Sequence, residues 1–318
     1  VKGPLLDYIQ AIFFYLFGVN WQAYVLHASV FNAIITISTF FILKNFKLKT
    51  EYCFLYSLLL SILAYPSSGT PFIDHHSSFF SLLAIYSLLF AINNKRSYNW
   101  VLTPILFGLA FLSKQVPAAY IILTIGFVLL LYFFTNKKIK NIQYFLIGVF
   151  SFIISILIFG NLQNIALSSF LDQFIFYPQT IGLSRFSNLT LSLSTAEKFV
   201  FILISISLLI YVNINNFFVV NNYKKNNDFF FFLILFSFLL SLVLHQFLTK
   251  NQTFIFFLIP IFTAFSQISI EKNNLKYKKI ISYILISCCL FSTYKYHMRY
   301  NEGRKFHELK NANFNLSI

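Results

Sequence analysis

A carboxylate and two imidazoles stand side by side in "GTPFIDHHSSFF", as Asp74, His75 and His76, at the edge of a long apolar run. An ionisable group this close to a hydrophobic segment is expensive to desolvate and usually has a task. Two readings stand for the stretch. In the first, Asp74 is the N-cap of the helix that follows and the histidines sit at an interface. In the second, Asp74 and His75 are catalytic, holding a divalent metal ion or a phosphate-bearing substrate between them, and His76 adds a substrate contact. Consecutive helical residues point about 100° apart, so the three side chains converge on one ligand only with help from another segment.

The stretch "GLAFLSKQVPAAY" places Lys114 and Gln115 at a turn broken by Pro117. Lys114 either snorkels to lipid headgroups or offers a cation to a phosphate, with Gln115 beside it. Lys2 carries the same two readings. In "SSFLDQFIFYPQTIGLSRF" a short amphipathic helix is expected to end at Pro178 and Gly182. Arg185, just beyond, is an ordinary surface residue or a phosphate clamp. His27 lies inside an apolar run and reads as a packed, hydrogen-bonded histidine, whereas His245 and Lys250 flank a further turn. The chain has no Walker A sequence, no GxSxG, no HExxH and no CxxC, which argues against an ATP-driven pump, a serine hydrolase and a zincin.

The elements that must position these residues are membrane spans. Hydrophobic residues make up 58% of the chain and charged ones 10%, a balance foreign to soluble domains. An opening segment from Leu5 to Phe17 is too short to cross a bilayer. Pro4 suits its first turn, Asp7 opposes its dipole there and Gly18 ends it, so it reads as an interfacial helix. About ten spans follow, near 21–43, 52–65, 76–93, 99–113, 117–135, 142–160, 197–219, 228–247, 253–270 and 279–295. The expected class is an all-α, polytopic integral membrane helical bundle with short interfacial helices. Residues 1–295 form its transmembrane domain and 296–318 a basic extracytoplasmic tail.

The net charge of +15 is distributed by loop. "KNFKLKTE", "NNKRSYN", "TNKKIKN", "NNYKKNND" and "EKNNLKYKK" are rich in Lys and Arg, and the alternate connections contain only Lys114, Arg185 and Lys250. The basic set is expected in the cytoplasm, which places every candidate residue above on the opposite face. Charge in short clusters between spans orients a membrane protein and argues against nucleic acid as a partner. Cys53, Cys288 and Cys289 read as small apolar packing residues.

Three passages resemble membrane glycosyltransferases of the GT-C class, the group of the protein mannosyltransferase-like and aminoarabinose transferase-like enzymes. "KGPLLDYIQAIFFYLFG" is similar to their "KxPLxxxxxAxxxxLFG" stretch, "GLAFLSKQVP" to their "GLAFLTKGP", and "SSGTPFIDHH" occupies the place of their second acidic motif. The match covers Lys2 to Leu131. Two departures stand out: "KGPL" for "KPPL" and "SKQVP" for "TKGP". The resemblance implies sugar transfer from a polyprenyl-phosphate donor to a lipid, glycan or protein acceptor at the outer face, among membrane lipids and, in bacteria, on the periplasmic side of the inner membrane. It carries Lys2 and Pro4 onto the first motif, Lys114 onto the third and Asp74 onto the acidic position. It also implies a catalytic acidic residue upstream of the first motif, so the chain reads as a fragment, inactive by itself, that lacks the first membrane helix. The alternatives are a polyprenol-linked glycan flippase and a non-catalytic membrane protein. Polar residues gathered at the outer ends of spans, with no internal repeat, favour the enzyme.

Overall fold

The computed structural model of the chain describes residues 3–64, 71–94, 96–187, 227–249, 255–272 and 277–304. The described residues are helical throughout apart from turns, with no strand. In order they form α1 (Pro4–Phe17), α2 (Trp21–Asn45), α3 (Thr50–Ala64), α4 (Ile73–Asn94), α5 (Ser97–Ser113), α6 (Gln115–Asn136), α7 (Ile139–Leu162) and α8 (Leu167–Leu171). A π-helical stretch (Asp172–Phe176) leads into α9 (Tyr177–Ser187), and α10 (Asn227–Thr249), α11 (Leu258–Lys272) and α12 (Lys278–Arg304) complete the bundle.

Among the described residues five helices are long and apolar enough to cross a bilayer: α2, α4, α6, α7 and α10 up to Leu248. The spans expected at 52–65, 99–113 and 253–270 are helices of 15, 17 and 15 residues. At about 1.5 Å per residue these fall short of a hydrocarbon core of about 30 Å. The span expected at 197–219 lies outside the described residues. That at 279–295 is part of α12, 27 residues long, which runs unbroken past the boundary expected between span and tail.

Local chemistry writes the first corner. Pro4 opens α1 and Gly18 closes it with φ 82°, in the left-handed region that glycine accepts readily. Asn20 then caps α2, its Oδ1 accepting from Ala23 N at 2.8 Å while its Nδ2 donates to Phe17 O at 2.9 Å. α1 is the short helix expected from the sequence, with Asp7 exposed in its first turn.

α4 is the central helix, buried on nearly every side, and α7 is the least buried of the five long apolar helices, burying only Gly148. Polar pairs stitch the spans together. Thr39 Oγ1 and Tyr86 Oη lie 2.8 Å apart between α2 and α4, and Thr124 Oγ1 and Ser241 Oγ lie 2.8 Å apart between α6 and α10. Such bonds have no competing water inside the bundle.

The two ends of the bundle sort as the alternating loop charges predict. At one end Asn93 Nδ2 donates to Asn45 Oδ1 at 2.9 Å, and Lys272 Nζ pairs with Asp228 Oδ1 at 2.9 Å. At the other end the starts of α2 and α4 meet the α5–α6 turn and the last turns of α10.

Candidate functional site

That second end holds a buried ion pair. Asp74 lies in the first turn of α4 and its side chain is 2% exposed. Its Oδ1 accepts a hydrogen bond from Lys114 Nζ, and His245 Nε2 approaches the same oxygen to 3.5 Å. Three elements thus bring one residue each: the start of α4, the α5–α6 turn and the end of α10. The N-cap reading of Asp74 is corrected here. α4 begins at Ile73, and His76 N already donates to Phe72 O at 3.1 Å, so Asp74 is inside the helix with its side chain turned to its partners.

Lys114 is the extended residue between α5 and α6, at φ −157° and ψ 129°. Its own N–H donates to Ala110 O at 3.1 Å, closing α5, and its carbonyl accepts from Ser77 Oγ at 3.2 Å. The turn is therefore held to α4 through main chain and side chain alike. Lys114 does not snorkel: the ammonium turns inward to the carboxylate. A buried carboxylate needs this compensation, because an uncompensated charge in a low-dielectric interior is very unfavourable.

The three polar residues of the "DHH" stretch diverge, as helical geometry requires. His75 packs against the rings of Phe72 and Phe79, with centroids 6.0 Å away in each case. His76 turns to His27, their Nε2 atoms 2.9 Å apart. His27 Nδ1 lies 2.7 Å from the Gln10 side-chain amide, and His76 Nδ1 lies 3.1 Å from Phe72 O. Neutral imidazoles satisfy this chain in one direction. The Gln10 amide nitrogen donates to His27 Nδ1, His27 Nε2–H donates to His76 Nε2, and His76 Nδ1–H donates to Phe72 O. This direction has the amide present its nitrogen to His27, which gives that buried N–H a partner. Phe13 stacks on His27 at 4.8 Å, and Phe31 lies 4.4 Å from His76.

The metal pairing expected of Asp74 and His75 meets a poor donor set. Among the described residues no group of three or more His, Cys, Asp or Glu side chains gathers. Asp74 directs Oδ1 to an ammonium, while His75 lies among aromatic rings. These residues do not fit a divalent ion, which asks for several oxygen or nitrogen donors.

Of the other candidates, Gln115 is buried as the first residue of α6, directly after Lys114. Arg185 falls in α9, whose neighbouring Phe186 meets Tyr120 of α6 edge-on at 6.0 Å; the Arg185 side chain is outside the described residues, as is Lys2. The expected helix end at Pro178 and Gly182 is also corrected, since α9 continues through both to Ser187. Pro178 is the second residue of α9 and directly follows the wide π-helical turns.

An apolar groove of about 670 Å³ lies beside α1. Leu5 and Tyr8 of α1, Leu109 and Leu112 of α5, and Phe152 and Ser155 of α7 line it. Leu112, the groove's last lining residue on α5, is two residues before Lys114 in the chain.

A profile of the family described as dolichyl-phosphate-mannose-protein mannosyltransferase matches residues 1–159, half of the chain. The matched half contains Asp74, Lys114, the His27–His76 pair and most of the groove. No curated protein and no solved structure matches the chain significantly.

Proposed function

This chain belongs to the dolichyl-phosphate-mannose-protein mannosyltransferase family of membrane glycosyltransferases, and from that premise we propose that it transfers a sugar from a polyprenyl-phosphate-linked donor to a lipid, glycan or protein acceptor. The reaction takes place at the extracytoplasmic face, on the periplasmic side of a bacterial inner membrane. The observation that carries this reading is the convergence of Asp74, Lys114 and His245 at the end of the bundle whose loops have few Lys or Arg.

Sugar transfer needs a positive charge on the phosphate leaving group and a base for the acceptor hydroxyl. Lys114 supplies the first. When a lipid-linked phosphate arrives, the ammonium exchanges its contact with Asp74 for one with the phosphate, and Arg185 or Lys2 adds a second cation. Asp74, relieved of its partner, takes the acceptor proton. The acceptor oxygen bonds to the anomeric carbon, the carbon–oxygen bond to phosphate breaks, and its electron pair leaves on the polyprenyl phosphate. His245 holds the carboxylate from the other side. The groove beside α1 takes the first isoprene units, so the lipid enters sideways from the membrane.

The test is glycolipid and glycoprotein profiling of cells carrying Asp74→Asn or Lys114→Gln in the full-length gene. Losing a base or a charge-stabilising group is expected to slow transfer about 10²–10³-fold, with the variants still inserted in the membrane. Normal product levels from both would overturn the assignment.

A further inference from the structure

The end of the bundle opposite the Asp74–Lys114 pair has a strongly one-signed corner. Between Asp74 and Asp172 the sequence has no Asp or Glu. It has six cations there, of which Lys114 meets Asp74. The other five are Lys95, Arg96, Lys137, Lys138 and Lys140, in the α4–α5 and α6–α7 connections and the first turn of α7. Among the described residues, Arg96 and Lys138 bond only to tyrosine hydroxyls, Tyr98 Oη and Tyr132 Oη, at 3.0 Å each. Elsewhere at this end charge is balanced, since Lys272 pairs with Asp228 at 2.9 Å.

Packing gathers the corner. α5 and α7 run in the same direction in close contact: a Cβ on Gly148 would strike Val101 O, and one on Gly108 would strike the Phe152 ring. Both helices therefore start here, with Arg96 the N-cap of α5 and Lys138 the N-cap of α7, and neither side chain makes a capping bond. α3 and α10 start at the same end with Glu51 and Asp228 in their first turns, as the helix dipole favours. α5 and α7 have no acid there, so two helix starts and the cations beside them add to one positive field that an anion relieves. Tyr132, near the end of α6, joins the parts. It holds Lys138 through its hydroxyl, and Trp100 of α5 stacks on its ring with centroids 5.8 Å apart. Trp100 is 1% exposed, and its Nε1–H has no partner among the described residues. A buried, unsatisfied donor thus lies one ring away from the ammonium.

Below the cations α7 presents an apolar strip. Ile139, Leu146, Phe150, Ile153 and Leu157 are exposed and recur at the spacing of one helix face. The strip begins at Ile139, between Lys138 and Lys140 in the chain. Cations at the head of an exposed apolar strip suit an anion that carries acyl chains, whereas a free phosphate leaves the strip unused. We propose that the starts of α5 and α7, with the end of α6, form a binding site for an anionic phospholipid. Arg96, Lys138 and Lys140 meet its headgroup phosphate, and its acyl chains lie along α7. The site is at the far end of α5 from Lys114, so it is separate from the proposed transfer chemistry and stands whether or not that reading does.

The experiment is native mass spectrometry of the full-length protein in a neutral detergent, with equimolar dioleoylphosphatidylglycerol and dioleoylphosphatidylcholine competing for the first bound lipid. Phosphatidylglycerol is expected to win by about tenfold or more. Each Lys or Arg beside a lipid phosphate is worth about fivefold in affinity, so Arg96→Gln/Lys138→Gln should remove most of the preference. Lys140→Gln, a single change at an exposed residue, should cost about fivefold and keeps the test open if the double variant fails to fold. Lys44→Gln/Lys49→Gln removes two exposed cations from the same end, beside Glu51, and should leave the preference intact. No preference in the unsubstituted protein, or a full preference in Lys140→Gln and the Arg96/Lys138 variant, would overturn the site. An equal loss in the Lys44/Lys49 variant would overturn it too, by showing that diffuse charge attracts the lipid. A large excess of inorganic phosphate should leave the lipid bound; displacement would assign the cations to a free anion instead.

Discussion

At the scale of single residues, Asp74 and Lys114 form the buried ion pair of the end whose loops have few Lys or Arg. Their pair is local in space and forty positions apart in sequence. Removing one partner of a buried pair costs about 3–5 kcal/mol, because the other charge stays behind. Lys114 is 21% exposed, so solvent screens part of that loss and the low end of the range applies. Lys114→Ala should therefore lower the unfolding temperature in detergent more than the double variant Asp74→Asn/Lys114→Gln, which leaves no stranded charge. An equally unstable double variant would show that the ion pair itself, not its completeness, holds this end together. The sequence made both residues visible, since a charge at the end of an apolar run demands a reason. It did not make their pairing visible, because both an N-cap and a snorkelling lysine satisfy the same local pattern. His245 was readable only as a residue at an outer turn. Nothing near it in the chain announces Asp74, and only the packing of α10 against α4 brings them together.

At the scale of elements, α1 is the piece whose place is most specified. Gly3 N donates to Ser113 O at 3.1 Å, and a Cβ on Gly3 would fall 1.9 Å from Leu112 O. This gives a physical reason for "KGPL" where the resembling enzymes have "KPPL": a proline here would lose the N–H and carry atoms into the end of α5. Farther along, Gln10 joins the His27–His76 chain, so α1 is tied to α5, α2 and α4 together. His27→Ala removes both central bonds. With Ile9→Cys as reporter in a protein whose native cysteines are replaced, labelling by a membrane-impermeant maleimide should rise severalfold when His27 is lost, since Ile9 packs against the Phe80–Ala110–Ala118 cluster. Unchanged labelling would mean that packing alone holds α1 and the histidine chain does not anchor it. The existence of α1 was legible, from Pro4, Asp7 and Gly18, because capping is short-range. The extent of α8 to α9 was not, because Pro178 and Gly182 are ordinary stop signals and the π-helical turns that accommodate them leave no pattern in the residues.

At the scale of the whole molecule, the alternation of loop charge and the sorting of contacts are independent, and they agree. Charge says that Lys44, Lys47 and Lys49 share a side with Lys137, Lys138 and Lys140. Contacts group the end of α2 with the end of α4, through Asn45 and Asn93, and with the start of α10 and end of α11, through Phe46, Phe231 and Lys272. The helical class and the grouping of helix ends were therefore readable from hydropathy and charge. The lengths of α3, α5 and α11 were less so, because short helices enclosed by neighbours carry the same apolar composition as full spans. The two lines of reasoning make one topological prediction. In a background with Cys53, Cys288 and Cys289 replaced, Lys49→Cys and Asn161→Cys should label from opposite faces of intact cells. Lys49 precedes α3 and Asn161 lies at the end of α7, and both are exposed. Asn161 should react with an impermeant maleimide added outside, and Lys49 only after the membrane is opened. Labelling of both from outside would break the alternation and remove the basis for placing Asp74 and Lys114 on the extracytoplasmic face. Labelling of Lys49 alone would invert the protein and turn the proposed site toward the cytoplasm.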